Sequence, residues 1–235
     1  MVGIIVELAI SRLLLWLLAK VNLEVLGFKP TQSRVLDLVA GLLAAGAICT
    51  IYHLSVVNFA DNSWTVNPAA NATVFAKSAY WVLKSVLFET LIFQGALLYL
   101  AIKKLGANKA CLLSAACFGI YHWFSYGAFG NPVQMAFVFF MTAITGLMYA
   151  VAFTKTGSLY LLISLHLGWN IFNIVVFSNG PLGPQLLIRE NQNKTQGILS
   201  LAIFLFQVFA LPLLTYMYLK WLRNPIARRD ELAKA

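Results

Sequence analysis

The chain has 235 residues, 60% of them apolar or aromatic and only 11% charged, with a mean hydropathy of +0.79. Soluble domains carry about 25% charged residues, so these charges are too few to clothe a water-facing surface of this size. The composition excludes a disordered chain, a collagen-like repeat and a disulfide-stapled scaffold, and leaves an integral membrane protein made of helices. Cys49, Cys111 and Cys117 lie in apolar runs without a CxxC pair, and are expected to pack as small hydrophobes.

A hydrocarbon core of ~30 Å needs about 20 apolar helical residues. The first apolar segment, 3–19, contains Glu7 and Arg12, so it either crosses the membrane or lies in the interface as an amphipathic helix. It lacks the basic start and small-residue cleavage site of a signal peptide, and is counted with the mature chain. Further spans are predicted at 36–57, 78–101, 110–126, 132–153, 158–178 and 197–219. The expected fold is therefore all-α, a polytopic transmembrane helical bundle with six or seven spans forming one membrane domain over 1–235.

The loops between these spans differ in charge. One alternate set holds Lys20, Lys29, Arg34, Lys103, Lys104, Lys109 and Lys155, and the tail adds Lys220, Arg223, Arg228, Arg229 and Lys234. The opposite set holds Lys77, Arg189 and Lys194. Twelve against three, in phase with the spans, places the basic loops and the C-terminal tail in the cytoplasm by the positive-inside rule. The net charge of +9 is thus a topology signal. Spread through loops, it forms no aromatic-basic groove, and no nucleic-acid partner is expected. A bacterial plasma membrane is the expected location, although an endoplasmic reticulum fits the loop charges equally. The Asn-x-Thr triplets at Asn71 and Asn193 fall on the outer loops.

Between Asp61 and Glu190 the chain has a single acid, Glu89, near the middle of the span 78–101. A carboxylate at the bilayer centre costs about 2.5–3.5 kcal/mol on insertion scales, so it must face a protein interior or a wet cavity, and it marks function by default. Lys84, nearer the outer end, is expected to snorkel outward. Two histidines also lie within spans: His122, one turn after Phe118, and His166, four residues before Asn170 and on the same helix face. At a rise of ~1.5 Å per residue, Glu89, His122 and Asn170 lie about 18 Å from the cytoplasmic end and His166 about 12 Å. One layer of the bundle can hold all four. Phe118 is placed to brace the His122 ring. His53, near the outer end of its span and without a partner pattern, reads as interfacial.

These residues line up in a known order. The segment 78–178 resembles the CPBP intramembrane proteases, the group with the type II CAAX prenyl endopeptidases and the bacteriocin-processing (Abi) proteins. Their E-E-x-x-x-R motif corresponds to Glu89-Thr90-Leu91-Ile92-Phe93-Gln94, their F-x-x-x-H to Phe118–His122, and their H-x-x-x-N/D to His166–Asn170, after Thr156-Gly157-Ser158. The second glutamate and the arginine of the first motif are Thr90 and Gln94 here. Losing one partner of a buried ion pair costs about 3–5 kcal/mol, whereas a matched neutral pair avoids that cost, so Thr90 and Gln94 are expected to hydrogen-bond as a compensated pair.

The chemistry of these groups suits peptide hydrolysis. Glu89 is the one carboxylate able to activate water, and it serves as base only while a neighbour such as His122 keeps a fraction ionised. His166 and Asn170 can donate jointly to an oxyanion. The resemblance implies the same assignment, without metal or other cofactor, acting on a peptide or protein substrate at the membrane, lipidated or not. Residues 78–178 would then be the catalytic core helices, with Thr90, Gln94 and Phe118 supporting Glu89, His122, His166 and Asn170. Three alternatives stay open: a His₂Glu zinc centre from Glu89, His122 and His166, a proton or ion pathway, and a non-catalytic relative acting as a membrane immunity or scaffold protein.

Overall fold

The structure, a computed structural model, describes residues 2–222, with side chains to residue 220. The tail residues Arg223, Arg228, Arg229 and Lys234 used in the charge count lie outside the described residues. The helices are α1 (Val2–Ala19), α2 (Gln32–Asn58), α3 (Ala72–Gln94), α4 (Ala96–Leu105), α5 (Ala107–Ser125), α6 (Pro132–Thr156), α7 (Tyr160–Asn170) and α8 (Gly197–Leu222). A 3₁₀ turn, Leu23–Leu26, follows α1, and a π-helical turn, Ile171–Val176, continues α7.

Local chemistry sets the boundaries. The side chains of Thr31, Asn71 and Asn131 accept from the N–H groups of Arg34, Val74 and Gln134, and so cap α2, α3 and α6. Pro132 starts α6, where its missing N–H costs nothing. At the other end Gly157, with φ of 60°, closes α6 through its N–H to Phe153 O at 2.7 Å. The predicted span 78–101 is two helices, broken at Gly95, where the backbone leaves helical geometry with ψ of −129°.

Among the described residues five helical runs are long and apolar enough to cross a membrane: Val2–Ala19, Gln32–Asn58, Ala72–Leu105, Pro132–Thr156 and Gly197–Lys220. The predicted spans 110–126 and 158–178 are also helical but do not meet that measure. The first, α5, carries Asn108, Lys109, Ser114 and His122; the second, Tyr160–Val176, is a shorter apolar run. Helix α5 buries one face, with Ser114, Phe118 and His122, and exposes the other, with Leu112, Leu113, Ile120 and Phe124, whereas α7 has no exposed residue. Helix α7 lies against α2, α3 and α6, and buries Leu161, Leu162, Leu165 and His166. Their apolar neighbours include Ala45, Phe118, Met148 and Tyr149.

Small residues permit this close packing. A Cβ added at Gly41 would stand 2.0 Å from Ser164 Oγ, and one at Gly168 would stand 2.8 Å from the carbonyl of Leu42. Gly41 and Ala45 on α2 thus face Ser164 and Gly168 on α7, two small-xxx-small stripes that bring backbones together where lipid supplies no hydrophobic force. Gly119 and Gly146 do the same between α5 and α6, receiving Phe139 and Phe118.

The connections gather at the two ends of α2. At its N-terminal end Leu159 N donates to Leu26 O (3.2 Å) and the Tyr160 hydroxyl to Phe28 O (3.1 Å), joining the loop after α1 to the α6–α7 turn. At its C-terminal end β1 (Trp64–Val66) pairs antiparallel with β2 (Leu187–Arg189), Trp64 opposite Arg189. This two-stranded sheet is absent from the all-α expectation. Its strands are three residues each, too short for an alternating pattern to be read.

Candidate active site

Glu89 projects from α3, His122 from α5 and His166 from α7, and the three side chains converge. His166 Nε2 lies 3.7 Å and His122 Nε2 3.9 Å from Glu89 Oε2. The three side chains are only 13%, 11% and 6% exposed. On the far side of the carboxylate the Ser85 hydroxyl, one turn earlier on α3, donates to Oε1 at 3.1 Å. Distances of 3.7 and 3.9 Å are too long for direct hydrogen bonds. At such lengths a bridging oxygen can join the groups.

Hydrogen bonding fixes the proton positions on the rings. His122 Nδ1 lies 2.7 Å from the carbonyl oxygen of Phe118, which can only accept, so Nδ1 carries the proton. A neutral His122 therefore turns the lone pair of Nε2 toward Glu89. His166 Nδ1 is buried and has no hydrogen-bond partner. Orphaned buried N–H groups are rarer than under-used acceptors, which favours the proton on Nε2, facing the carboxylate. One imidazole thus offers an acceptor to the gap and the other a donor.

Aromatic rings hold both imidazoles. Phe118, 1% exposed, lies 4.4 Å from the His122 ring centroid and 6.2 Å from that of His166. Tyr149 of α6 stacks on His166 at 4.9 Å and 25°. Sequence reasoning singled out neither Ser85 nor Tyr149. Ser85 had a usable signal, its i, i+4 spacing to Glu89, whereas Tyr149 sits among apolar α6 residues with no pattern to mark it.

Asn170 ends α7, one turn beyond His166 and half-buried. No hydrogen bond joins its carboxamide to Glu89, His122 or His166.

Two expectations need correction. Thr90 and Gln94 are both fully buried, but Thr90 Oγ1 and both amide atoms of Gln94 have no hydrogen-bond partner among the described residues. Their one-turn spacing permits contact, yet the side chains do not form the compensating pair. His53, read as lacking a partner, has one: it is 0% exposed, and its Nε2 lies 2.9 Å from Asn173 Oδ1. Position along α2 suggested a water-facing end, but the β1–β2 connections fold over it.

The family model of the type II CAAX prenyl endopeptidase Rce1-like proteins matches residues 71–172. Over this segment the chain is similar to the Rce1-like family. No curated protein and no solved structure matches the chain. The Rce1-like segment starts at the cap of α3, ends in the π turn after α7, and contains Glu89, His122, His166 and Asn170. Helices α1, α2 and α8 lie outside it. The apolar helices and the likeness of this segment to a membrane protease family point together to an integral membrane protein.

Among the described residues no group of three or more His, Cys, Asp and Glu side chains is arranged to hold a metal ion. His122 and His166 approach the same carboxylate oxygen, Oε2, while Oε1 is taken by Ser85.

Proposed function

We propose that the protein is a metal-independent intramembrane endopeptidase in which Glu89 activates a water. The observation that carries this reading is the pair of 3.7 and 3.9 Å separations between Glu89 Oε2 and the two Nε2 atoms. A water in that gap donates to Glu89 and to the His122 lone pair. Glu89 takes the proton as the water oxygen bonds to the peptide carbonyl carbon. His166 Nε2–H and the Asn170 carboxamide donate to the oxygen that becomes negative. The C–N bond then breaks as Glu89, through His122, returns the proton to the leaving amine. Removing one oxyanion donor costs about 10²–10³ in rate, and general acid–base catalysis contributes about 10²–10⁴.

Comparing cleaved membrane peptides in cells carrying wild-type or Glu89→Gln protein tests the proposal. The expected result is a set of cleavages that vanish with the isosteric change. Identical peptide sets would refute it. Purified protein should keep its turnover in chelator, and activity that chelator abolishes and zinc restores would make Glu89, His122 and His166 metal ligands instead.

The unpartnered Thr90 and Gln94 side chains favour one other reading, a non-catalytic relative serving as a membrane immunity or scaffold protein. Such a protein keeps its cellular effect in the Glu89→Gln variant.

A further inference from the structure

His53 lies outside the Glu89 cleft, yet it is among the most tightly held side chains in the molecule. Its ring stacks on Phe177 (4.4 Å, 18°) and meets the edges of Tyr52 (4.8 Å) and Trp64 (5.8 Å). The bonds around it form one consistent set. Asn173 Nδ2 donates to the carbonyl of Asn179 at 2.8 Å, so the Asn173 oxygen must face His53 and accept from it. His53 Nε2 therefore carries the ring proton, and its buried, unpartnered Nδ1 is a lone pair rather than a stranded donor. Asn179 Nδ2 adds a second bond to Asn173 Oδ1 at 3.1 Å.

The grip falls on an unusual piece of backbone. Asn173 lies in the π turn Ile171–Val176, which starts immediately after Asn170. Such turns are rare and recur at functional sites. This one is closed by Phe177 N to Phe172 O at 2.8 Å. A π turn spreads more residues around the axis than an α turn, so it carries Asn173 away from the face that Asn170 shares with His166. Asn173 can then reach α2 while Asn170 stays on the face of His166. Helix α2 is shaped for this: Gly46, two turns before His53, takes the Phe172 ring, where a Cβ would meet it at 2.6 Å.

We infer that His53 is a positioning residue which, by holding Asn173, fixes the π turn and with it the direction of the Asn170 carboxamide. The inference rests on the reading of Asn170 as an oxyanion donor. A displacement of about 1 Å by a change far from the chemistry can cost 10²-fold in rate, which is the scale of effect expected.

The test uses the full chain in detergent and a peptide whose cleavage depends on Glu89. His53→Ala and Asn173→Ala should each lower kcat roughly ten- to hundred-fold with KM unchanged. The double variant should be no worse than either single one, and His53→Gln, whose amide can still donate to Asn173, should recover much of the rate. Hydrogen exchange provides a second reading that needs no substrate: His53→Ala should speed exchange over residues 170–176 and leave 160–166 unchanged. Losses that multiply in the double variant, a rise in KM alone, or unchanged exchange over 170–176 would overturn the inference. If no cleavage depends on Glu89, the hydrolytic reading fails by itself, and the exchange rates alone judge the anchor.

Discussion

Glu89 is costly to bury, and its surroundings show how the cost is offset: one hydroxyl on Oε1 and two imidazoles facing Oε2 across a gap. Ser85→Ala leaves Oε1 without its donor. Hydrogen bonds to charged groups are worth about 1.5–3 kcal/mol, so turnover should fall by at least tenfold while His122 and His166 stay in place; unchanged turnover would show that Ser85 does not support the ionised acid. Gln94 invites the opposite experiment. Its amide is buried without a partner, and an unsatisfied buried group costs about 1–3 kcal/mol. Gln94→Met should therefore be neutral or raise thermal stability, and a marked loss in a melting experiment would reveal a partner. Thr90→Glu alone places an unpaired charge there and should destabilise by about 3–5 kcal/mol, with Gln94→Arg restoring much of it. A double variant no more stable than the single one would end that coupling. The catalytic candidates were legible in the sequence because an acid or imidazole stands out against lipid-compatible neighbours. Thr90 and Gln94 were misjudged because spacing shows which side chains can meet, not which rotamers let them.

Helix α7 is the element on which the site turns. It is short, buried, and seated on α2 through Gly41, Ala45, Ser164 and Gly168. At Gly168 the obstruction is the Leu42 carbonyl, which is backbone and cannot swing aside. Gly168→Val should push α7 from α2, shift His166 and Asn170 together, and lower both melting temperature and turnover. Normal turnover in this variant would mean that the helix contact does not set the site. The helices themselves could be read from apolar length. The break at Gly95, the π turn after Asn170 and the short β1–β2 pair could not. Each depends on what the chain meets across the bundle, and local pattern carries no record of that. His53 shows the same limit: its partner lies 120 positions away, in the π turn.

At the scale of the whole molecule, the loops that the charge bias assigns to one side do meet. The loop after α1 joins the α6–α7 turn, and the connections of the opposite set join through β1 and β2. A cysteine at Lys155 should react with a membrane-impermeant thiol reagent only from the cytoplasmic side, and one at Lys194 only from the opposite side. Reaction of both from one side would overturn the orientation. The proposed chemistry rests on something smaller, a single solvent oxygen bridging the acid on α3 and the imidazoles on α5 and α7 where they converge. An experimental density map of the protein in a lipid environment tests this most directly. It should show one solvent oxygen within hydrogen-bond reach of Glu89 Oε2, His122 Nε2 and His166 Nε2. Imidazoles turned to other neighbours, or a metal ion in place of that oxygen, would contradict the account.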